Sequence, residues 1–216
     1  MYNKLLVVEN NTFLVTYIDS EFAEEGERTI DECFREEIEK ADRVKMSVAY
    51  FGRDSLQEIE RLVKEGKIKY ICLILGMYFF IGLQESMYNM VIKMHMQWQE
   101  KGVGEIRLLD YYPNHGKLYC FYKNGHIFSA IIGSPNLSFL IPMDKKIKPR
   151  QYEMAELIHK PSSLRRYRKR MEKLRSDRFS KNMTFLEQYK SVVTSEKINA
   201  KGKIKQKTKI TYTKNY

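Results

Sequence analysis

The chain has 216 residues, with 38 Lys and Arg against 27 Asp and Glu, for a formal net charge of +11. That length fits one domain with appendages and a real hydrophobic core, and the charge makes a polyanion the expected partner without separating DNA from RNA, an acidic protein or a membrane surface. The most apolar stretch, Tyr70–Leu83, is too short to span a bilayer as a helix, and Met1–Thr12 lacks the apolar run of a signal peptide, so membrane anchoring and secretion are not expected.

Thr29 with Glu32 fits a capping box that opens a helix carrying Ile30, Cys33, Phe34, Ile38 and Ala41 on one face. A strand over Val44–Phe51 follows, with Val44, Met46, Val48 and Tyr50 on one side. Ser55 with Glu58 fits a second capping box, for a helix with Leu56, Ile59, Leu62 and Val63 buried and Gly66 as its stop. Ile71–Leu75 reads as a buried strand ended by Gly76. Leu83, Met87, Met90, Met94 and Trp98 recur at helical spacing and predict a helix over Gly82–Lys101.

Glu105–Leu109 is a strand, Leu118–Phe121 and Ile127–Ile132 form a hairpin, and Met154–Ile158 is a further strand. Pro161–Asp177 is a helix with Leu164, Tyr167, Met171 and Leu174 as its buried stripe. Strands alternating with helices in this order predict an α/β sandwich around a central mixed sheet. Lys190–Tyr216 is poor in large apolar residues and alternates lysines, as a flexible basic tail or the opening of a further domain would. Cys33, Cys72 and Cys120 lie in apolar surroundings with no paired spacing, as expected of reduced buried thiols in a cytoplasmic protein.

The chemistry concentrates at His115-Gly116-Lys117 and Gly133-Ser134-Pro135-Asn136, which bracket the hairpin. Alone, the second segment is an ordinary turn, since all four residues are turn formers. After a strand it instead delivers a hydroxyl and an amide to a strand end. His115 and Lys117, two apart on extended chain, point the same way. An imidazole is a nucleophile toward phosphorus, a lysine is a compact charge for the developing phosphorane, and an asparagine NH₂ donates to the same oxygens. A histidine nucleophile needs an acceptor for its second nitrogen. Glu153, at the start of the Met154–Ile158 strand, is the favoured candidate, and Glu156, on the opposite face, is its competitor. His95, His126 and His159 are expected to be structural.

The spacing of His115, Lys117, Ser134 and Asn136 resembles the phospholipase D superfamily, whose signature is H-x-K, an aspartate, then G-S-x-N. The resemblance covers most of Thr29–Arg175, with the motif region at Asn114–Ile158. It is strongest to the branch that became restriction endonucleases, in which the aspartate is dispensable and a glutamate follows the asparagine. Two departures point away from lipid hydrolysis: the aspartate position falls on Tyr122, and the interval between the two motifs is longer than in the lipases. The resemblance implies a phospholipase D-like α/β/α sandwich over 29–178, after an N-terminal segment 1–28. Residues 179–216 would then be a basic tail or the start of a missing DNA-recognition domain. It also puts Asn136 on the phosphate, Ser134 near the histidine pair, and Glu153 at the family's glutamate.

No zinc-like spacing and no carboxylate cluster of the magnesium nucleases is visible, so no cofactor and no metal are expected. The two-step reaction needs a nucleophile and a second imidazole as acid, yet the chain has one H-x-K. A homodimer with a shared active site supplies the other. The expected activity is therefore metal-independent hydrolysis of double-stranded DNA through a phosphohistidine, as in a type II restriction endonuclease. A sequence-nonspecific nuclease, a phosphatidyl-transferring phospholipase and an inactive nucleic-acid-binding module are the alternatives. Arg165, Arg166, Lys169, Arg170 and Lys173 lie off the buried stripe of their helix, either as plain solvated surface or as a groove for DNA.

Overall fold

A computed structural model of the chain describes residues 11–142, 145 and 151–184, and the backbone of 193–198 and 204–209. In chain order the elements begin with β1 (Thr12–Val15), β2 (Arg28–Thr29), α1 (Ile30–Lys40), β3 (Arg43–Val48), α2 (Arg53–Lys64) and β4 (Ile71–Leu75). Then come α3 (Tyr78–Ile81), β5 (Leu83–Gln84), α4 (Glu85–Glu100), β6 (Gly104–Leu109), β7 (Lys117–Lys123) and β8 (His126–Gly133). Last are β9 (Met154–Ile158), α5 (Pro161–Arg175), β10 (Ser180–Asn182), β11 (Val193–Ile198) and β12 (Ile204–Lys209).

Nine strands form one mixed sheet in the order β10-β6-β4-β3-β7-β8-β9-β1-β2. β3, β4 and β6 run parallel through helical crossovers, and β7, β8 and β9 are antiparallel. Alternation along the strands divides the core in two. Val44, Met46, Leu73, Leu75, Tyr119 and Phe121 face the buried stripes of α1, α2 and α4. Cys72, Ile74, Leu118 and Cys120 face Leu164, Met171 and Leu174 of α5. The α/β/α sandwich expected from periodicity is the fold observed. All three cysteines are free and buried, and no helix among the described residues is long and apolar enough to cross a membrane.

The Thr29–Glu32 capping box is present, with both reciprocal bonds made, a motif that stabilises a helix start by about 1 kcal/mol. The Ser55–Glu58 box is not. α2 starts three residues earlier, capped at Gly52, because Ser55 Oγ donates instead to Leu140 O at 2.8 Å and Glu58 accepts from Arg35 at 2.7 Å and from Arg61. Those contacts fasten α2 to α1 and to the segment that follows Asn136. The α4 stripe is as expected at Met94 and Trp98, with Val91 and His95 also buried. Gly82 lies outside the helix as the cap of α3.

Both ends of the sheet reach past the expected limits of 29 and 178. β1 pairs along β9, from Thr12 opposite Leu157 to Val15 opposite Met154, and β10 pairs with β6. Two strands of the expected flexible tail, β11 and β12, pair with each other, and β11 also pairs with β5, in a second sheet of order β12-β11-β5. The remainder of that tail, and residues 185–192, lie outside the described residues.

Candidate active site

The hairpin register places the two motifs side by side. Lys117 and Gly133 are direct cross-strand partners, so the chain entering β7 and the chain leaving β8 diverge from one point at the strand ends in the middle of the sheet. Gly133 is there because β9 crosses too closely for a side chain: a Cβ would lie 2.4 Å from Met154 O. Ser134 holds the next step, its N–H donating to Met154 O at 3.0 Å and its hydroxyl accepting from Met154 N at 3.2 Å. The hydroxyl expected near the histidine is therefore a clamp on β9. Tyr119 Oη donates to Pro135 O at 2.8 Å from within the core and fixes the turn from below.

Asn136 is oriented by a backbone group. The Tyr50 N–H donates to its Oδ1 at 3.0 Å, which leaves the NH₂ as the free end, with no hydrogen bond among the described residues. This bond explains why β3 stops at Val48 rather than reaching Phe51. Beyond it the chain serves the asparagine segment, through Leu137 N to Tyr50 O at 3.2 Å and Gly52 N to Leu137 O at 2.7 Å. The Tyr50 ring packs edge-on against the His115 ring, 5.7 Å between centroids.

His115 is exposed in the loop just before β7, whereas Lys117 is 7% exposed. Lys117 Nζ lies 2.8 Å from His115 Nδ1 and 3.5 Å from Nε2. Asn114 anchors this loop. Its N–H donates to Gly76 O at 3.0 Å, its Nδ2 donates to Ser47 Oγ at 3.1 Å, and its Oδ1 accepts from Gly116 N at 3.3 Å. Gly76 admits the approach, since a Cβ there would meet Asn114 O at 2.2 Å.

Glu153 is half-buried just before β9, with its main chain bonded both ways to Thr16. Burial raises its carboxyl above the ordinary carboxylate range, and the Lys117 charge works against that rise. Burial likewise lowers the Lys117 ammonium, and Glu153 opposes the fall. The two are thus electrostatically coupled. Glu153 does not hydrogen-bond His115, because Lys117 sits at Nδ1 where the acceptor was expected. Glu156 projects from the opposite face and accepts from Asn11 Nδ2 at 3.2 Å.

Tyr122, at the aspartate position, is buried on the α5 side with its hydroxyl unpartnered, away from the Tyr119 face that continues Lys117. His95 is buried, its Nδ1 accepting from Ile106 N at 2.9 Å, as a structural histidine should be. A cavity of about 790 Å³ opens beside the motif loop, and Arg166, Lys169, Arg170 and Lys173 line it together with Asn114 and Gly116. Arg165 does not reach it. Among the described residues there is no group of three His, Cys, Asp or Glu side chains placed to hold a metal ion.

Sequence reasoning missed Tyr50, Asn114 and Tyr119 as parts of the site. Asn114 adjoins the histidine and was visible as a neighbour. Tyr50 and Tyr119 act through long-range bonds that leave no local pattern.

An α/β/α sandwich with H-x-K and G-S-x-N at adjoining strand ends defines a phospholipase D-type phosphodiesterase domain. The chain belongs to the family described as NgoFVII restriction endonuclease N-terminal PLD domain, whose model matches residues 28–188. Its fold is similar to NucT from Helicobacter pylori, at 16% identity and a TM-score of 0.51, covering 76% of this chain and 94% of that one. It is also similar to phosphatidylserine synthase of Haemophilus influenzae Rd KW20, at 15% identity and a TM-score of 0.52, covering 80% of this chain but 39% of that one. No curated protein sequence matches the chain.

Proposed function

We propose that this chain is the catalytic part of a type II restriction endonuclease, cutting double-stranded DNA in the cytoplasm without a metal, through a phosphohistidine on His115. The observation that carries the reading is the convergence of an exposed imidazole, a buried ammonium 2.8 Å away, and an amide whose NH₂ is turned free by Tyr50. A phosphodiester set among them has a nucleophile and two donors for its non-bridging oxygens.

In the resting site the Lys117 ammonium donates to Nδ1, so the His115 proton rests on Nε2. A bound phosphate competes for the ammonium. As Lys117 turns to the phosphate, Nδ1 takes the proton and Nε2 becomes the nucleophile, with Glu153 as the nearby carboxylate for the new N–H. Nε2 then forms a bond to phosphorus while the P–O bond to the leaving group breaks, and the leaving oxygen takes a proton from a second imidazole. That imidazole next accepts a proton from water, whose oxygen attacks phosphorus and releases His115.

We assign the second imidazole to the partner subunit's His115 in a two-fold homodimer, since one chain has one H-x-K. An aromatic surface flanking Glu153 suits such an interface. Tyr152 packs on Tyr17 and Phe22, and Phe22 is 69% exposed. The cations of α5 and the net charge of +11 supply the attraction for DNA.

The test is incubation of the purified protein with plasmid DNA in excess chelator, read on a gel and after an acid quench. Cleavage in chelator with labelled DNA trapped on the protein is the expected result, and discrete bands rather than a smear identify a restriction activity. An absolute requirement for magnesium would remove the histidine mechanism.

A further inference from the structure

The cavity beside the motif loop is more than a basic surface. Its walls are Ser47 and Asn114 on the sheet side and α5 on the other, its floor is apolar at Leu118, Ile132 and Leu174, and two half-buried tyrosines, Tyr112 and Tyr167, line it. Its volume of about 790 Å³ lies in the range of pockets that enclose small ligands. None of Arg166, Lys169, Arg170 and Lys173 forms an ion pair among the described residues, although eight of the pairs there join groups within one helix or hold cations of α1, α2 and β6. Four unneutralised cations therefore share one concave site with two aromatic rings and an apolar floor.

Attraction for phosphate alone does not account for this shape. Phosphate groups are held well by exposed lysines on a convex face, where no apolar floor is needed. A nucleotide, by contrast, presents a charged phosphate at one end and a planar, apolar-faced base at the other. Cationic walls joined to tyrosines match that division, as in sites that hold unpaired bases by stacking.

We propose that this cavity binds one unstacked nucleotide of the strand being cut, its phosphate on the α5 cations and its base against Tyr112 and Tyr167. The proposal rests on the phosphodiesterase reading for its placement, because the cavity and the catalytic loop share a wall. Asn114, Gly116, Lys117 and Gly133 line its inner end, while His115 and Asn136 lie outside it. A strand crossing from the scissile phosphate into the cavity therefore passes directly over the Asn114–Lys117 loop. Since the cavity takes a single nucleotide and not stacked base pairs, duplex DNA must release that nucleotide from its stack before it enters.

The test uses the full chain and two probes, thymidine bisphosphate and propanediol bisphosphate, which carries two phosphates and no base, with affinities read by calorimetry. In the wild-type protein thymidine bisphosphate should bind about tenfold more tightly, the size of one base–aromatic stack. Tyr167→Ala and Tyr112→Ala should erase that difference, and Arg170→Gln, at an exposed position that does not support the core, should weaken both probes alike. Equal binding of the two probes by wild type, or tyrosine variants that keep the preference, would overturn the nucleotide site and leave a phosphate groove. Wild-type hydrolysis of bis(4-nitrophenyl) phosphate, too small to span both sites, examines the phosphodiesterase reading separately, so failure of one is not mistaken for failure of the other.

Discussion

The Nζ of Lys117 lies 2.8 Å from the Nδ1 of His115, and the same ammonium sits in the field of Glu153. One buried cation thus links the His115 ring to the Glu153 carboxylate. Lys117→Ala should cut DNA nicking by at least the ~10²–10³-fold typical of losing one positioned donor. Lys117→Arg should rescue little of that loss, because a planar fork does not replace a point charge in a buried slot. His115→Ala should abolish nicking while leaving DNA binding in place, and near-normal nicking by that variant would refute the assignment.

Glu153 gives a prediction about pH with a definite sign. Its folded carboxyl holds a proton more tightly than the unfolded one, because burial outweighs the attraction of Lys117. The stability linked to it is therefore fully present below the unfolded value and lost as pH rises through the raised folded value. Glu153→Gln should raise the urea midpoint at neutral pH, with the gain shrinking toward zero in acid. The same variant should lower activity, since the Nδ1 proton loses its acceptor. Urea melts at both pH extremes, run beside nicking rates, check the two halves; a variant destabilised at neutral pH contradicts the burial argument.

Asn136 is held at one end only, so its two ends can be separated by substitution. Asn136→Asp keeps an oxygen for the Tyr50 N–H but turns a carboxylate toward phosphate. It should therefore be worse in nicking than Asn136→Ala, itself about 10²–10³-fold below wild type. An aspartate variant as active as the alanine variant would mean that the NH₂ does not face the phosphate.

The α5 cations should show in the salt dependence of DNA binding. Replacing Lys169 or Lys173 by Gln should weaken binding uniformly across sequences and lower the slope of log affinity against log salt by about 1 for each phosphate no longer neutralised. Arg165→Gln, outside the cavity, should leave the slope unchanged. Titrations of labelled duplex over a salt series measure both.

Much of this architecture is legible in the sequence because local patterns report local burial. The stripes of α1, α4 and α5 and the Thr29–Glu32 box depend on residues within two turns of one another. That His115 and Lys117 come to lie beside the Asn136 segment is legible because the two short motifs bracket one hairpin. What fails are features settled across the sheet. Ser55 looks like a cap until Leu140 O takes its hydroxyl. Thr12–Val15 is too short to announce a strand, and pairing with β9 on one side and β2 on the other makes it one. Tyr50 reads as another inward strand residue, yet its N–H is committed to an asparagine 86 positions away. Ser134 reads locally as a hydroxyl delivered to a strand end, and its bonds to Met154 of the neighbouring strand leave no local pattern.

Assembly provides the most demanding prediction, because it follows from counting imidazoles. If each cycle needs two copies of His115, a monomer should be inactive however well it folds. Phe22 and Tyr152 flank Glu153 with exposed aromatic surface, so Phe22→Asp should shift sedimentation toward monomer and reduce nicking in the same proportion. Thermal stability should change little, since Phe22 lies outside the core. Mixing excess His115→Ala protein with wild type, after subunit exchange, should depress activity below simple dilution, because every mixed dimer has lost one of its two imidazoles. A monomer that cuts at full specific activity would end the shared-site reading, and the acid for the leaving oxygen would then have to come from within one chain.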